Sequence, residues 1–245
     1  MKIAAAAAFA AAALALAVLS PQSARAQVAQ GDKFFTVDLG AGLPYGKVDS
    51  PGLPSEKLAD PGFMGGVQYI YQLSPNFGLG GDVYYSLFNT HKAHSCVPFL
   101  NQTMTFTMRK TTFELTGRWV FMPQAPYYPY LVGGVGVNNI YYQARLQPSA
   151  VGVFPLGGKF TDTSFTTPSF SAGLGFEGAL TESFLAGFEA RWRYLGTYSL
   201  SSFSGSNPLG FVGPPVLTTS DEYSFGPASE VTLAIRLGWK FKAGS

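Results

Sequence analysis

Residues 229–241 read Ser-Glu-Val-Thr-Leu-Ala-Ile-Arg-Leu-Gly-Trp-Lys-Phe. From Val231 onward every second place is apolar, through Leu233, Ile235, Leu237 and Trp239 to Phe241, while Glu230, Thr232, Arg236, Gly238 and Lys240 stand between them. A period of two is the mark of a strand with two unlike faces. The stretch is longer than the about 9–11 residues with which a tilted strand crosses a bilayer.

Seven earlier segments carry the same period. They are expected over residues 34–42, 62–73, 77–88, 104–122, 130–145, 165–180 and 184–198, with Pro168 weakening the start of the sixth. The connections near 74–76, 123–129 and 181–183 are short, and those near 43–61, 89–103, 146–164 and 199–228 are long and rich in Gly, Pro and Ser. An even number of strands joined by alternately short and long connections predicts an all-β fold, an eight-stranded antiparallel up-and-down transmembrane β-barrel with both termini in the periplasm.

Composition supports a surface that does not face water. Only 12% of the 245 residues are charged and 15% are aromatic, whereas soluble domains carry roughly 25% charged residues. The one long apolar run, Ile3 to Leu19, follows Lys2 and precedes Ala24-Arg25-Ala26, a small-x-small cleavage pattern. Residues 1–26 are therefore expected to be a cleaved Sec-type signal peptide, and 27–245 the barrel domain. Without Lys2 and Arg25 the remaining chain has 14 basic and 14 acidic residues, which offers no basic face for nucleic acid. Cys96 is the only cysteine, so neither an internal disulfide nor a thiolate metal site is available.

Alternation alone does not separate a membrane barrel from a soluble one; the sense of the two faces does. Asp38, Asp82, Glu114, Arg118, Glu177, Glu189, Arg191, Arg193, Glu230, Arg236 and Lys240 all fall on the parity opposite the apolar series. That same parity is crowded with Gly40, Gly66, Gly80, Gly134, Gly136, Gly173, Gly175 and Gly187, as a narrow, side-chain-filled interior demands. On the apolar parity, Trp119, Phe121, Trp239 and Phe241 are expected at one membrane interface, and Tyr141, Trp192 and Tyr194 near the other.

The pieces Gly66-Val67-Gln68-Tyr69, Phe77-Gly78-Leu79-Gly80-Gly81-Asp82, Pro129 to Gly136 and Gly173-Leu174-Gly175-Phe176-Glu177 resemble the small outer-membrane barrel family that includes the transmembrane domain of outer-membrane protein A and the opacity and Ail-type surface proteins. Trp239 and Phe241 also resemble that family's terminal aromatic signal for the barrel-assembly machinery, although Lys242 to Ser245 follow it. The resemblance implies a monomer in the bacterial outer membrane, in contact with lipid and lipopolysaccharide. It further implies a structural or surface-interaction role, with a host or cell-surface ligand met through the long loops.

Three chemistries are weighed on the residues. The inward charges, Asp38, Asp82, Glu114, Arg118, Glu177, Glu189, Arg191, Arg193 and Arg236, are expected to pair as a network that plugs the lumen, because an unpartnered buried charge is costly; the sharper alternative is a gate. His91, His94 and Cys96 in the second long loop have a spacing that metals accept, but a zinc site needs further ligands, and a solvated loop is the expectation. A lipid-modifying hydrolase needs a Ser–His pair facing lipid; no predicted strand carries a histidine, so neither an enzyme nor a cofactor is expected. The alternative function is a channel for small hydrophobic molecules resembling the outer-membrane protein W family, which calls for an apolar lumen. Ile70, Val120, Val132 and Leu185 are the only strong apolar residues read on the polar parity, too few for a continuous apolar lining, which favours the plug.

Overall fold

The computed structural model describes residues 28–49, 56–57, 59–94, 103–147, 158–200 and 223–242. Among them lie eight long strands: β1 Lys33–Tyr45, β2 Asp60–Gln72, β3 Phe77–Asn89, β4 Thr103–Val120, β5 Tyr127–Gln147, β6 Gly158–Ala179, β7 Phe184–Leu200 and β8 Tyr223–Phe241. Each pairs antiparallel with the next, and β1 pairs antiparallel with β8, so the sheet closes on itself. Closure leaves no unpaired edge, which is the condition for a sheet to sit in hydrocarbon. No described residue is helical.

The strands run beyond the predicted limits at the end where the long connections lie. β8 begins at Tyr223 rather than Ser229, and β6 begins at Gly158 and passes through Pro168 without a break. Pro168 faces outward opposite Val137, and the irregularity in this wall falls instead at Ala144/Arg145. Short pieces Lys47–Asp49 and Glu56–Lys57 extend the wall beside β8, and His91–His94 pairs with β4. The expectation of a loop at His91 and His94 is thus corrected to a short strand, since β4 is long enough to capture that segment by backbone hydrogen bonding. Cys96 lies outside the described residues, as do residues 1–27.

At the other end the turns are tight. Phe77 donates its amide to Ser74 Oγ at 3.1 Å, and Phe184 donates to Thr181 Oγ1 at 3.0 Å. Asn76 Nδ2 reaches Val120 O at 2.8 Å and ties the first turn to the second.

Stagger fixes the geometry of the barrel. Register partners followed from Trp239 pass Phe35, Tyr69, Gly81, Leu115, Val135, Phe170 and Tyr194 and return to β8 at Ser229, ten residues from the start. Eight strands with that shear tilt by about 43° to the axis, near the upper end of the usual range. Each residue then advances about 2.5 Å along the axis, and each register row climbs about 3 Å from one strand to the next. On this scale Trp119 and Trp239 stand within about 3 Å of one level, and Tyr194 about 23 Å above Trp239.

The two faces differ as the alternation requires. Leu39, Phe63, Leu115, Leu131, Leu174 and Leu237 are exposed on the outside, whereas Asp38, Arg118, Glu177, Arg191 and Arg236 are buried within. A water-soluble fold has the opposite sense. Trp119, Phe121, Trp192, Trp239 and Phe241 are outward and exposed, and Tyr194 is partly so. Trp239 sits between Phe35 and Phe184, with ring centroids 6.2 and 5.5 Å away, and Tyr194 lies 6.4 Å from Phe170.

Candidate functional site

The lumen is filled in three layers, and the layer at the end of the tight turns is apolar. Phe34, Ile70, Val120, Tyr128, Tyr130, Val132, Ala179 and Leu185 point inward and pack around Val28. Val28 belongs to a strap that crosses the mouth of the barrel before β1. Its amide donates to Pro123 O at 2.8 Å, the Gly31 amide donates to Gln72 O at 2.8 Å, and the Gln72 amide donates to Asp32 O at 2.9 Å. Gly31 has φ 87°, a left-handed conformation that glycine adopts without strain. Asp32 Oδ2 accepts from the Ala29 amide at 2.9 Å and closes the turn.

Above this seal lies the charged layer. Arg236 donates through Nε and Nη2 to the two oxygens of Asp38, each at 2.8 Å. Its Nη1 lies 2.8 Å from Glu189 Oε2 and 3.3 Å from Glu177 Oε1, and donates to Tyr130 OH at 2.7 Å. Arg118 Nη1 donates to both Glu177 oxygens, at 2.9 and 3.1 Å. Arg191 Nη1 donates to Asp82 Oδ2 at 2.6 Å and Glu114 Oε2 at 3.2 Å, while its Nε stands 2.9 Å from Glu189 Oε1. That last pair is close but misaligned for a hydrogen bond. Arg193 donates to Thr232 Oγ1 at 2.9 Å and lies 3.6 Å from Glu114.

Neutral groups complete the shell around the carboxylates. Ser171 donates to Glu114 at 2.8 Å, Thr116 to Asp82 at 2.6 Å, and Tyr84 to Asp38 at 2.7 Å. Aromatic faces cover the arginines: the Arg193 guanidinium lies 4.1 Å from the Tyr84 ring and that of Arg118 lies 4.6 Å from Phe34. Two glycines make room for these rings. A Cβ on Gly66 would overlap Tyr84, and one on Gly175 would overlap Tyr130. Both tyrosines lie flat against the wall there and aim their hydroxyls into the network.

The outer layer is mixed. Lys110 pairs with Glu230, to which Ser86 also donates at 3.0 Å. Phe88, Met108, Ile140 and Tyr142 are buried on the inward parity toward this end, and Met64 clusters with Tyr84 and Ala234.

All nine inward charges singled out from the sequence meet in one connected set of contacts. Lys110 was not among those nine, although it shares their parity with Glu114 and Arg118; alternation alone was enough to find it. The expectation that apolar intrusions stop at Ile70, Val120, Val132 and Leu185 is corrected. Phe34, Met64, Phe88, Met108, Ile140, Leu195 and four tyrosines also point inward and are buried. The nine charges mark the middle of the lumen; an apolar layer lies on the strap side of them and a mixed layer, holding Lys110 and Glu230, on the other.

Five cations and six carboxylates, with side chains 0–4% exposed, thus fill the interior of this outwardly apolar barrel. A closed antiparallel barrel with this inside-out polarity is a transmembrane β-barrel. The family model described as "Outer membrane protein beta-barrel domain" matches residues 3–241, and the chain belongs to that family; its place is the bacterial outer membrane.

The barrel is similar to solved structures at low sequence identity. The outer membrane protein OprG from Pseudomonas aeruginosa superposes with TM-score 0.57 at 14% identity, covering 89% of this chain and 100% of that one. A major outer membrane protein from Thermus thermophilus gives 0.50 at 11% identity, covering 85% and 99%. Ail of Yersinia pestis, solved in complex with the heparin analogue sucrose octasulfate, gives 0.43 at 16% identity, covering 86% and 99%. No curated protein matches the chain in sequence.

Proposed function

We propose that this protein is a closed, non-conducting barrel, structural or adhesive in role, whose interactions are made by the segments beyond its outer rim. The observation that carries this reading is the charged layer: Arg118, Arg191, Arg193 and Arg236 are each 0–1% exposed and span the lumen with their carboxylate partners. A layer of that kind leaves no path for a solute unless ion pairs break, and breaking a buried pair is costly. The strap seated on Val28 adds a second closure below it. Export under a signal peptide of residues 1–26 fits the strap, because cleavage after Ala26 places the new terminus one residue before Val28. The reading includes insertion by the barrel-assembly machinery through Phe241, a monomeric state, contact with lipopolysaccharide and a host or cell-surface ligand; it assigns no reaction.

The apolar side chains of the mixed outer layer favour a second reading, entry of small hydrophobic molecules as far as Lys110. Ion conductance and uptake of a small apolar solute, measured with protein refolded into planar bilayers and liposomes, separate the two. Absence of stable channels and of uptake supports the closed barrel. Saturable uptake overturns it in favour of the channel.

A further inference from the structure

We propose, resting on the lipopolysaccharide contact proposed above, that the outward wall of β4–β6 at the outer rim binds a phosphate of an outer-leaflet glycolipid, with Arg109 as its charged ligand. Among the side chains the structure describes on the outside of the eight strands, only three are charged. They are Lys33, at the periplasmic start of β1, Asp60, beside the irregularity where β2 begins, and Arg109. Along β4 the described charges otherwise turn inside: Lys110, Glu114 and Arg118 do so, and Arg109 does not.

The height of Arg109 gives this exception a physical meaning. It lies ten residues along β4 from Trp119, so its Cα stands about 25 Å above that tryptophan, which is the height of the apolar band of such barrels. The guanidinium therefore reaches the layer where lipid headgroups, not chains, meet the wall. Register rows climb from strand to strand, and allowing for that climb, Asn89, Arg109, Asn139 and Thr166 stand at one level on four adjacent strands. Asn89, Asn139 and Thr166 are exposed, and Thr111 is partly so. The Asn89 amide is anchored on Pro61 O, whereas Asn139 and Thr166 lie on the side of Arg109 away from Asp60. Amide and hydroxyl groups thus flank the arginine, where an acyl-facing wall would carry Leu or Val.

Local contacts hold the arginine ready for an anion. Its guanidinium carbon lies 5.9 Å from the centre of the Tyr141 ring, and Gln143 Nε2 donates to Tyr141 OH at 3.1 Å, which fixes that ring. Stacking on an aromatic face leaves the N–H fork free to take a phosphate in bidentate fashion. The phosphorylated sugar headgroup of the outer leaflet supplies the complementary charge, together with hydroxyls for the amide row.

The test is native mass spectrometry of the refolded, full-length barrel in detergent with diphosphoryl lipid A, fully dephosphorylated lipid A and phosphatidylglycerol. Retention of diphosphoryl lipid A alone is expected, and Arg109→Gln should lower the bound fraction about tenfold, the loss of one charge-assisted contact. Arg109→Lys should retain part of the binding, and Asn139→Leu should weaken it while keeping the charge. Heat-dependent gel mobility reports whether each variant is folded. Equal retention by Arg109→Gln and the parent overturns the site, as does equal retention of the dephosphorylated lipid. Equal retention of phosphatidylglycerol overturns the glycolipid assignment, and displacement by inorganic phosphate would make the wall a free-anion site instead.

Discussion

Asp38 and Arg236 stand directly opposite each other on β1 and β8, and their doubly hydrogen-bonded pair lies across the seam where the first and last strands close the barrel. They are 198 residues apart in sequence. The contact that ties the lumen network to the seam therefore forms only when the two ends of the sheet meet.

Arg236→Ala is expected to destabilise the refolded barrel by roughly 3–5 kcal/mol, because it leaves Asp38 buried without its cation and removes contacts to Glu177 and Glu189. The reversed pair Asp38→Arg with Arg236→Asp should recover part of that loss. Urea unfolding followed by tryptophan emission checks both, and an Arg236→Ala midpoint equal to that of the parent would contradict the network.

Arg191 contacts Asp82, Glu114 and Glu189, whereas Lys110 contacts Glu230. Arg191→Ala should therefore lower the thermal midpoint more than Lys110→Met, since it leaves Asp82 without a cation and also takes one of two cations from Glu114 and from Glu189, whereas Lys110→Met strands Glu230 alone. The reverse order would mean that the middle layer is not the anchor of the lumen.

Gly175→Val should displace the Tyr130 ring and with it the hydroxyl shared by Arg236 and Glu189. Tyr130→Phe removes the hydroxyl but keeps the ring, at a cost of about 1 kcal/mol. A larger loss for the glycine variant than for the tyrosine variant is the expected result in the same urea titration.

Val28→Asp buries a carboxylate among apolar side chains and should detach the strap. Hydrogen exchange reads this directly: the amides of Gly31 and Gln72, which are held across the strap, should lose protection while those of mid-barrel β4 keep it. Unchanged protection at Gly31 would show that Val28 does not hold the mouth closed.

Protease added to intact cells should cut between residues 201 and 222 first, since this is the longest connection and joins β7 to β8 at the end opposite the tight turns and the strap. Protection of that segment with cleavage at 74–76 would invert the orientation.

The alternation was legible from residue to residue because a pleated strand turns successive side chains to opposite faces. It disclosed the eight strands, the inward parity of Glu114, Arg118, Arg191 and Arg236, and the glycines that line them. Strand limits were less legible, since the ends of β6 and β8 are held by pairing with a neighbour rather than by their own pattern. For the same reason His91 and His94 read as loop, and only the length of β4 made a strand of them.

The sequence by itself thus determined the class of fold and the sense of its two faces, because both follow from a period of two and from the sign of each residue's transfer from water to lipid. Only the tertiary structure decided the shear of ten, and with it which arginine meets which carboxylate, how far Arg109 stands above Trp119, and that Val28 closes the mouth. Those depend on register between strands far apart in the chain. Register is set by closure of the whole ring, which no local stretch of sequence contains.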